Sequence, residues 1–304
     1  MTKLNLPARK PFNFLSVVNS HGWHQLAPYS YDENTNRLGY TLRLSNARVV
    51  ELKLRDGADG VNIETDTLNR SEQKEVKDKV AWIFGLDLDF SDFYAASRLE
   101  PKLARAKKLA LGRVLRSPTL FEDVIKTIFT TNTLWGATKN MTKKLVDEFG
   151  SSLSGGSSLS RPVVEALQTK SFPTPESIAA SNPAYIQEKI RVGYRAPTIH
   201  DLAVRVASGK YELEALKNSA LPTLELRKEL MTIKGVGPYA AANLLLLLGR
   251  SDFIPIDSWA LKLVSHEWHA GKPITAREVE KRFEKWDEYK GVAFLFWDWK
   301  YNGG

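Results

Sequence analysis

The stretch 230–243 reads Leu-Met-Thr-Ile-Lys-Gly-Val-Gly-Pro-Tyr-Ala-Ala-Ala-Asn, and no other part of the chain limits the fold so tightly. The apolar spacing before it predicts a helix ending near Met231. A tight turn follows, with Gly235 and Gly237 expected at positive φ, where the lack of a Cβ removes the steric cost. Pro238 suits the first turn of a second helix, because its missing N–H has no intrahelical partner there in any case. Ala240, Ala241 and Ala242 let that helix pack closely on its neighbour. The N–H groups of Val236, Gly237 and the new helix start are expected to point outward, which makes an anion site and suits a grip on a nucleic-acid backbone that ignores base sequence. A plain glycine-rich turn between two helices is the alternative for Gly-x-Gly alone. The longer pattern, an apolar Leu230 followed by Ile233, Gly235-Val236-Gly237 and Ala240-Ala241 at that spacing, favours DNA.

A short loop leads from the second hairpin helix to Ile254-Pro-Ile-Asp257-Ser-Trp. An aspartate at that place can cap the next helix. It can also act chemically, since a carboxylate at a helix N-terminus can stabilise a sugar with oxocarbenium character and orient or deprotonate a water. The two roles are compatible. Asp252, the nearest rival, lies in a polar loop and reads as turn chemistry.

The chain has 304 residues and a formal net charge of +8. A basic excess fits a polyanionic partner, although many proteins are mildly basic without one. Segment 101–150 holds ten Lys and Arg against four acids. With no cysteine in the chain, disulfides, Cys-ligated zinc and an iron–sulfur cluster are excluded. The five histidines form no HExxH pattern, so metal-independent chemistry is expected. No apolar run approaches a membrane span of about 18 residues, and no signal-peptide core follows Met1. The expected location is therefore cytoplasmic, at the nucleoid, or nuclear in a eukaryote.

The fold class expected is α+β. Residues 1–100 are expected to form a small antiparallel sheet domain with a linker helix, and 101–304 a helical body of two lobes with the hairpin at 230–243. Alternation marks strands at Arg37–Leu44 and Ala47–Leu54. Helical spacing begins at Ser71, with Val76, Val80, Ile83 and Phe84 facing inward. Further helices are predicted over Pro101–Leu115, Thr119–Thr131, Ala137–Phe149, Pro175–Ala180, Pro183–Arg191, Ala196–Ser208, Tyr211–Asn218, Thr223–Met231, Tyr239–Leu248, Trp259–Glu267, Thr275–Trp286 and Tyr289–Trp299. The serine- and glycine-rich run Ser151–Ser160 reads as a flexible loop.

Hairpin and aspartate together resemble the signature of the helix-hairpin-helix (HhH-GPD) DNA glycosylase superfamily. Phe84-Gly-Leu-Asp-Leu-Asp-Phe and Arg116 through Asn132 are similar to the linker and wedge-loop helix of its 3-methyladenine II and 8-oxoguanine branches. Val192-Gly-Tyr-Arg-Ala-Pro matches a Gly-Tyr-Arg-Ala element of the latter, and the strands around His21-Gly-Trp23 suit the extra sheet of both. The resemblance implies that a target nucleotide is flipped out of double-stranded DNA, with Asn132 as the plug beside Thr133 and Leu134. The alternative for Asn132 is a helix C-cap. Lys234, Gly235, Val236, Gly237, Tyr239 and Arg195 would contact DNA. Tyr239, Trp259, Phe294 and Trp297 would form the base pocket, although each aromatic could equally be core. Backbone carbonyls of Met231, Ile233 and Val236 would hold a Na⁺ or K⁺ ion, with no other cofactor required.

Bifunctional members of the superfamily carry a lysine that attacks the sugar as an amine. Tyr239 stands at that position here, which implies hydrolysis by water with Asp257 as the catalytic carboxylate. An electron-poor alkylated purine suits an aromatic pocket through cation–π attraction. Phe294 stands where the 8-oxoguanine branch has a base-reading amide. The resemblance thus implies a monomeric, monofunctional glycosylase for a damaged, alkylated purine. The alternatives are an oxidised-purine glycosylase without lyase activity and a non-catalytic damage-sensing DNA-binding protein.

Overall fold

The computed structural model describes residues 1–154, 170–297 and 299; most of the Ser151–Ser160 run lies outside them. The N-terminal alternation closes into one antiparallel sheet of five strands in the order β1-β5-β4-β3-β2. The strands are β1 (Thr2–Pro7), β2 (Tyr29–Asp32), β3 (Arg37–Arg43), β4 (Val49–Asp56) and β5 (Gly60–Thr65). Leu38 pairs with Leu54, Tyr40 with Leu52 and Leu42 with Val50. Because alternate side chains share a face, this register places all six on the buried side.

A short α1 (Phe14–Val18) precedes β2. After β5 the chain turns helical at α2 (Arg70–Phe84), one residue before the predicted start. Asn69 caps it in a reciprocal capping box with Glu72, and Val76, Val80, Ile83 and Phe84 are all buried as expected. Next come α3 (Ser91–Ser97), α4 (Leu120–Thr130), α5 (Trp135–Phe149), α6 (Pro175–Ala179), α7 (Pro183–Ile190) and α8 (Ala196–Ala207). The hairpin pairs α9 (Thr223–Met231) with α10 (Pro238–Leu247), and α11 (Ser258–Trp268), α12 (Ala276–Phe283) and α13 (Lys290–Leu295) finish the body. The α+β class holds.

Three predicted helices differ. Pro101–Leu115 is a chain of turns: Leu103 and Ala106 each bond three residues back, to Glu100 and Leu103. Ala110 at φ 50° and Gly112 at φ 126° then break any continuation. Tyr211–Asn218 tightens into a 3₁₀ segment over Leu213–Asn218. The segment predicted over Thr275–Trp286 leaves α-geometry after Phe283 and continues as 3₁₀ turns.

Two cores result. The larger joins the sheet to α2, α4, α5, α8, α9 and α10. The smaller gathers Phe90, Phe93, Leu103 and Leu111 with α11, α12 and α13. Helix α4 is the axis of the first core, with ten of its eleven residues buried. Its polar groups clamp the sheet to the body. Glu122 accepts from the Tyr40 hydroxyl at 2.6 Å and from Lys126 at 2.6 Å. Asp123 accepts from Trp23 Nε1 at 2.8 Å and the Ser117 N–H at 3.0 Å. Burial, only partly offset by those bonds, raises the Asp123 carboxyl to about 6.

Candidate active site

Helices α4 and α10 pack against each other, so the end of one and the start of the other hold a fixed relation. Between the loop after α4, the hairpin turn and the start of α11 lies a cleft of about 840 Å³. Its walls include Asn132, Thr133, Lys234, Gly235, Val236, Gly237, Tyr239 and Asp257. A second cavity of about 370 Å³ opens beside it, lined by His21, Trp23, Trp135, Tyr239, Asn243, Asp257, Trp259 and Phe294 among others. Thr130, Thr133, Tyr239 and Asp257 border both spaces. Asp257 therefore stands at the mouth between a cleft faced by the hairpin and a pocket walled by aromatic rings.

Asp257 caps α11: its Oδ1 accepts the Ala260 N–H at 2.9 Å. The carboxylate is exposed at the helix start, where the positive end of the helix dipole favours its charge. Capping and availability coexist, as expected. Tyr239 sits on the first turn of α10, with burial first and the Asp257 charge second raising its phenol above the ordinary range. Trp259 is 49% exposed and meets buried Phe294 edge to face at 5.6 Å.

The hairpin differs in detail from the sequence expectation. Gly235 has φ +86°, but Gly237 has φ −90° and ψ −172°, an extended conformation open to any residue. A Cβ at Gly237 would meet nothing within 4 Å, so its glycine keeps the surface of the turn low rather than permitting a strained backbone. The Val236 N–H does not point outward, because it donates to the Ile233 carbonyl at 3.0 Å and closes the turn. The N–H groups left without an intrahelical acceptor by helix geometry are those at the start of α10, and Gly237 provides no side-chain cap.

Two residues expected at the site do other work. Arg195 is 7% exposed. Its guanidinium donates to the carbonyls of Ile128, Val192 and Thr131, so it fixes the end of α4 while forming part of the cleft wall. The adjacent Tyr194, stacked over it at 4.5 Å, is 62% exposed and lines the cleft beside it. Trp297 lies outside both spaces, wedged among Trp268, Phe283 and Trp286 at centroid distances of 5.0, 5.2 and 5.4 Å. It is a core residue of the second lobe. Asn132 is not the C-cap of α4, which is Thr131; it follows the cap at φ 48° and is exposed in the cleft, with its amide 3.5 Å from the Tyr194 hydroxyl. Leu134 is 82% exposed beside it. The basic segment is also less exposed than its composition implied, since Arg113, Arg116 and Lys126 are buried. Arg113 holds four backbone carbonyls.

Sequence reasoning missed His21, Trp23, Trp135 and Asn243 as pocket walls. The Trp135 signal was its place just after the wedge loop; the histidine and Trp23 come from the N-terminal sheet region, over 200 residues from Asp257 in sequence.

The family model described as HhH-GPD superfamily base excision DNA repair protein matches residues 125–288. A curated protein of Methanothermobacter thermautotrophicus, described as a probable N-glycosylase/DNA lyase, is 26% identical over an alignment covering 68% of each chain. Among solved structures, a 3-methyladenine DNA glycosylase from Archaeoglobus fulgidus superposes with a TM-score of 0.73 at 20% identity, covering 98% of this chain and 97% of that one. An 8-oxoguanine glycosylase/lyase from Clostridium acetobutylicum, bound to double-stranded DNA with cytosine opposite 8-oxoG, gives 0.68 at 21% identity, covering 94% and 91%. At these identities the two structures speak to the fold.

Proposed function

This chain belongs to the HhH-GPD superfamily of base excision DNA repair proteins, and from that premise we propose that it is a monofunctional DNA glycosylase acting on a damaged purine in duplex DNA. The observation that carries the reading is the place of Asp257, exposed at the mouth shared by the hairpin cleft and the aromatic pocket. The start of α10, with Lys234 beside it, grips a phosphate. Asn132 and Leu134 enter the stack from which the nucleotide has been turned out. The base then lies between the rings of Trp259, Phe294 and Tyr239. Water attacks the sugar C1′, the C1′–N bond breaks, and its electron pair leaves with the base. Asp257 stabilises the positive charge that develops on the sugar and takes the proton of the attacking water.

No primary amine lines the pocket at position 239, so the strand remains intact and an abasic site is the product. A base made electron-poor by alkylation suits this pocket best, since aromatic faces and a nearby carboxylate both attract positive charge. A Na⁺ or K⁺ ion would sit on the carbonyls of Met231, Ile233 and Val236, neutral hard oxygens that suit such an ion; the Ile233 carbonyl already accepts one N–H and keeps a second lone pair. The enzyme works as a monomer on this reading.

Mass spectrometry of bases released from dimethyl-sulfate-treated duplex DNA tests the proposal. Wild type releases methylated purine, and Asp257→Asn slows release by about 10²–10⁴-fold, the range typical of a lost acid–base group, while duplex binding persists. Equal release by the two proteins would refute the mechanism. Release from an 8-oxoguanine duplex alone would move the substrate to oxidised purines.

A further inference from the structure

Helix α11 runs away from Asp257 with one face uncovered. Ser258 lines the hairpin cleft and Trp259 lines the aromatic pocket, so the face they share looks onto the mouth at Asp257. Residues three and four apart on a helix are neighbours on its surface. Lys262 is four residues after Ser258 and three after Trp259, and it stands on their common face one turn further on. Ser258, Trp259, Lys262 and His266 are all exposed along this stripe, whereas Ala260, Leu263 and Val264 turn into the second core.

The charge of Lys262 is uncompensated on this face. The helix carries one acid, Glu267, and that carboxylate is taken by Lys102 at 2.5 Å. Among the described residues no carboxylate pairs with Lys262. A lysine is a compact point charge on a flexible four-carbon stem, a donor that suits a phosphate oxygen. Five residues separate it from Asp257, about 7.5 Å along the axis at about 1.5 Å each. Every deoxyribose inside a strand carries a phosphate on its 3′ and its 5′ oxygen. A sugar held at Asp257 therefore brings one flanking phosphate alongside the turn that bears Lys262, while the hairpin faces the strand from across the cleft.

The geometry points to Lys262 as a substrate-positioning residue: its ammonium holds a backbone phosphate that flanks the flipped nucleotide, across Asp257 from the phosphate held at the start of α10. The assignment rests on the glycosylase reading for the presence of a flipped nucleotide. With the strand held on both sides, the sugar cannot swing away from the carboxylate. The contact forms only when the nucleotide has left the stack, so it offsets part of the cost of turning it out.

The test reads binding by fluorescence anisotropy on a duplex with a tetrahydrofuran abasic analogue, so that no bond is cleaved. In a matched set, each phosphate near the analogue is replaced in turn by an uncharged methylphosphonate. One flanking replacement is expected to weaken wild type about tenfold, a difference of about 1.4 kcal/mol. Lys262→Ala should bind the unmodified abasic duplex about tenfold more weakly and lose less than about twofold from that same replacement, since the two changes remove one contact. Lys262→Arg should restore most of the affinity and of the penalty. Lys234→Ala should keep the penalty at that linkage, which separates a specific contact from a general loss of positive charge. Equal penalties in wild type and Lys262→Ala at every flanking linkage would overturn the assignment and leave the glycosylase reading standing. A wild type with no preference for the abasic duplex over an undamaged one would sink both. The role of Asp257 is judged separately, by base release from DNA.

Discussion

Asp257 and Tyr239 border the same opening between cleft and aromatic pocket, and the carboxylate adds to burial in holding the Tyr239 phenol protonated. A neutral phenol beside the carboxylate proposed to act on the sugar cannot form the imine that a lysine amine would. Borohydride reduction in the presence of a damaged duplex is therefore expected to trap no protein–DNA adduct, and denaturing gels should show an unbroken strand until alkali is added. Tyr239→Lys supplies the missing amine and serves as the positive comparison. A trapped adduct with wild type would mean that another amine reaches the sugar.

The two hairpin glycines should respond differently to alanine. Gly235 sits at φ +86° with Thr198 Cγ2 3.0 Å from an added Cβ. Gly235→Ala should cost about 1–2 kcal/mol of stability from the left-handed backbone alone. Gly237 has neither constraint; the stiffer unfolded chain is set against the poorer fit of alanine at the N-cap of α10, so Gly237→Ala should shift stability by less than about 1 kcal/mol. It should nevertheless weaken duplex binding, because the methyl group stands on the face offered to the phosphate. Urea unfolding and fluorescence anisotropy with a duplex separate the two effects. Unimpaired binding by Gly237→Ala would remove the hairpin from the interface.

Arg195 and Lys234 make a second contrasting pair. Arg195→Ala strips three carbonyls at the end of α4 of their shared partner and should destabilise the fold by about 2 kcal/mol or more. The salt dependence of DNA binding should stay as it was. Lys234→Ala should leave the melting temperature alone and lower the slope of log K against log salt by about one. A lower slope in Arg195→Ala would mean that the guanidinium leaves its carbonyls to meet DNA.

His21 also sets an acid limit on stability. Its imidazole falls from the ordinary 6.5 to about 3 in the fold, so the unfolded chain takes up a proton that the folded one refuses. Its contribution is full above about pH 6.5 and declines as pH falls toward 3. Asp123, raised to about 6 by burial, works in the opposite direction but is present in both wild type and His21→Phe, so it cancels in their difference. Urea midpoints taken from pH 8 down to pH 4.5 should show wild type losing more stability than His21→Phe. Parallel curves would show that His21 takes up a proton equally well in the folded chain.

The hairpin, the capping aspartate, the strands β3 and β4 and most helices were legible from the sequence because each depends on neighbours in the chain. A positive φ at Gly235, a proline at N1 and a regular apolar spacing are local signals. The run from Pro101 to Leu115 misled for the same reason: its composition is helical, while Ala110 and Gly112 bend the chain to place Leu103 and Leu111 in the second core.

What local pattern could not decide was which side of each residue meets protein. Arg195 shares the basic character of a DNA contact with Lys234, and only packing shows one guanidinium held by three carbonyls and the other cation exposed in the cleft. Trp297 is buried among aromatics of the second core, whereas Trp259 is half exposed at the pocket. The pocket itself unites His21, Trp135 and Trp259 from three distant segments. Sequence by itself determined that the chain builds a hairpin with an aspartate capping the helix after it, since turns and caps follow from backbone sterics and nearby hydrogen bonds. Tertiary structure decided what stands around that aspartate, because burial and contact are set by the packing of segments that the sequence keeps more than a hundred residues apart.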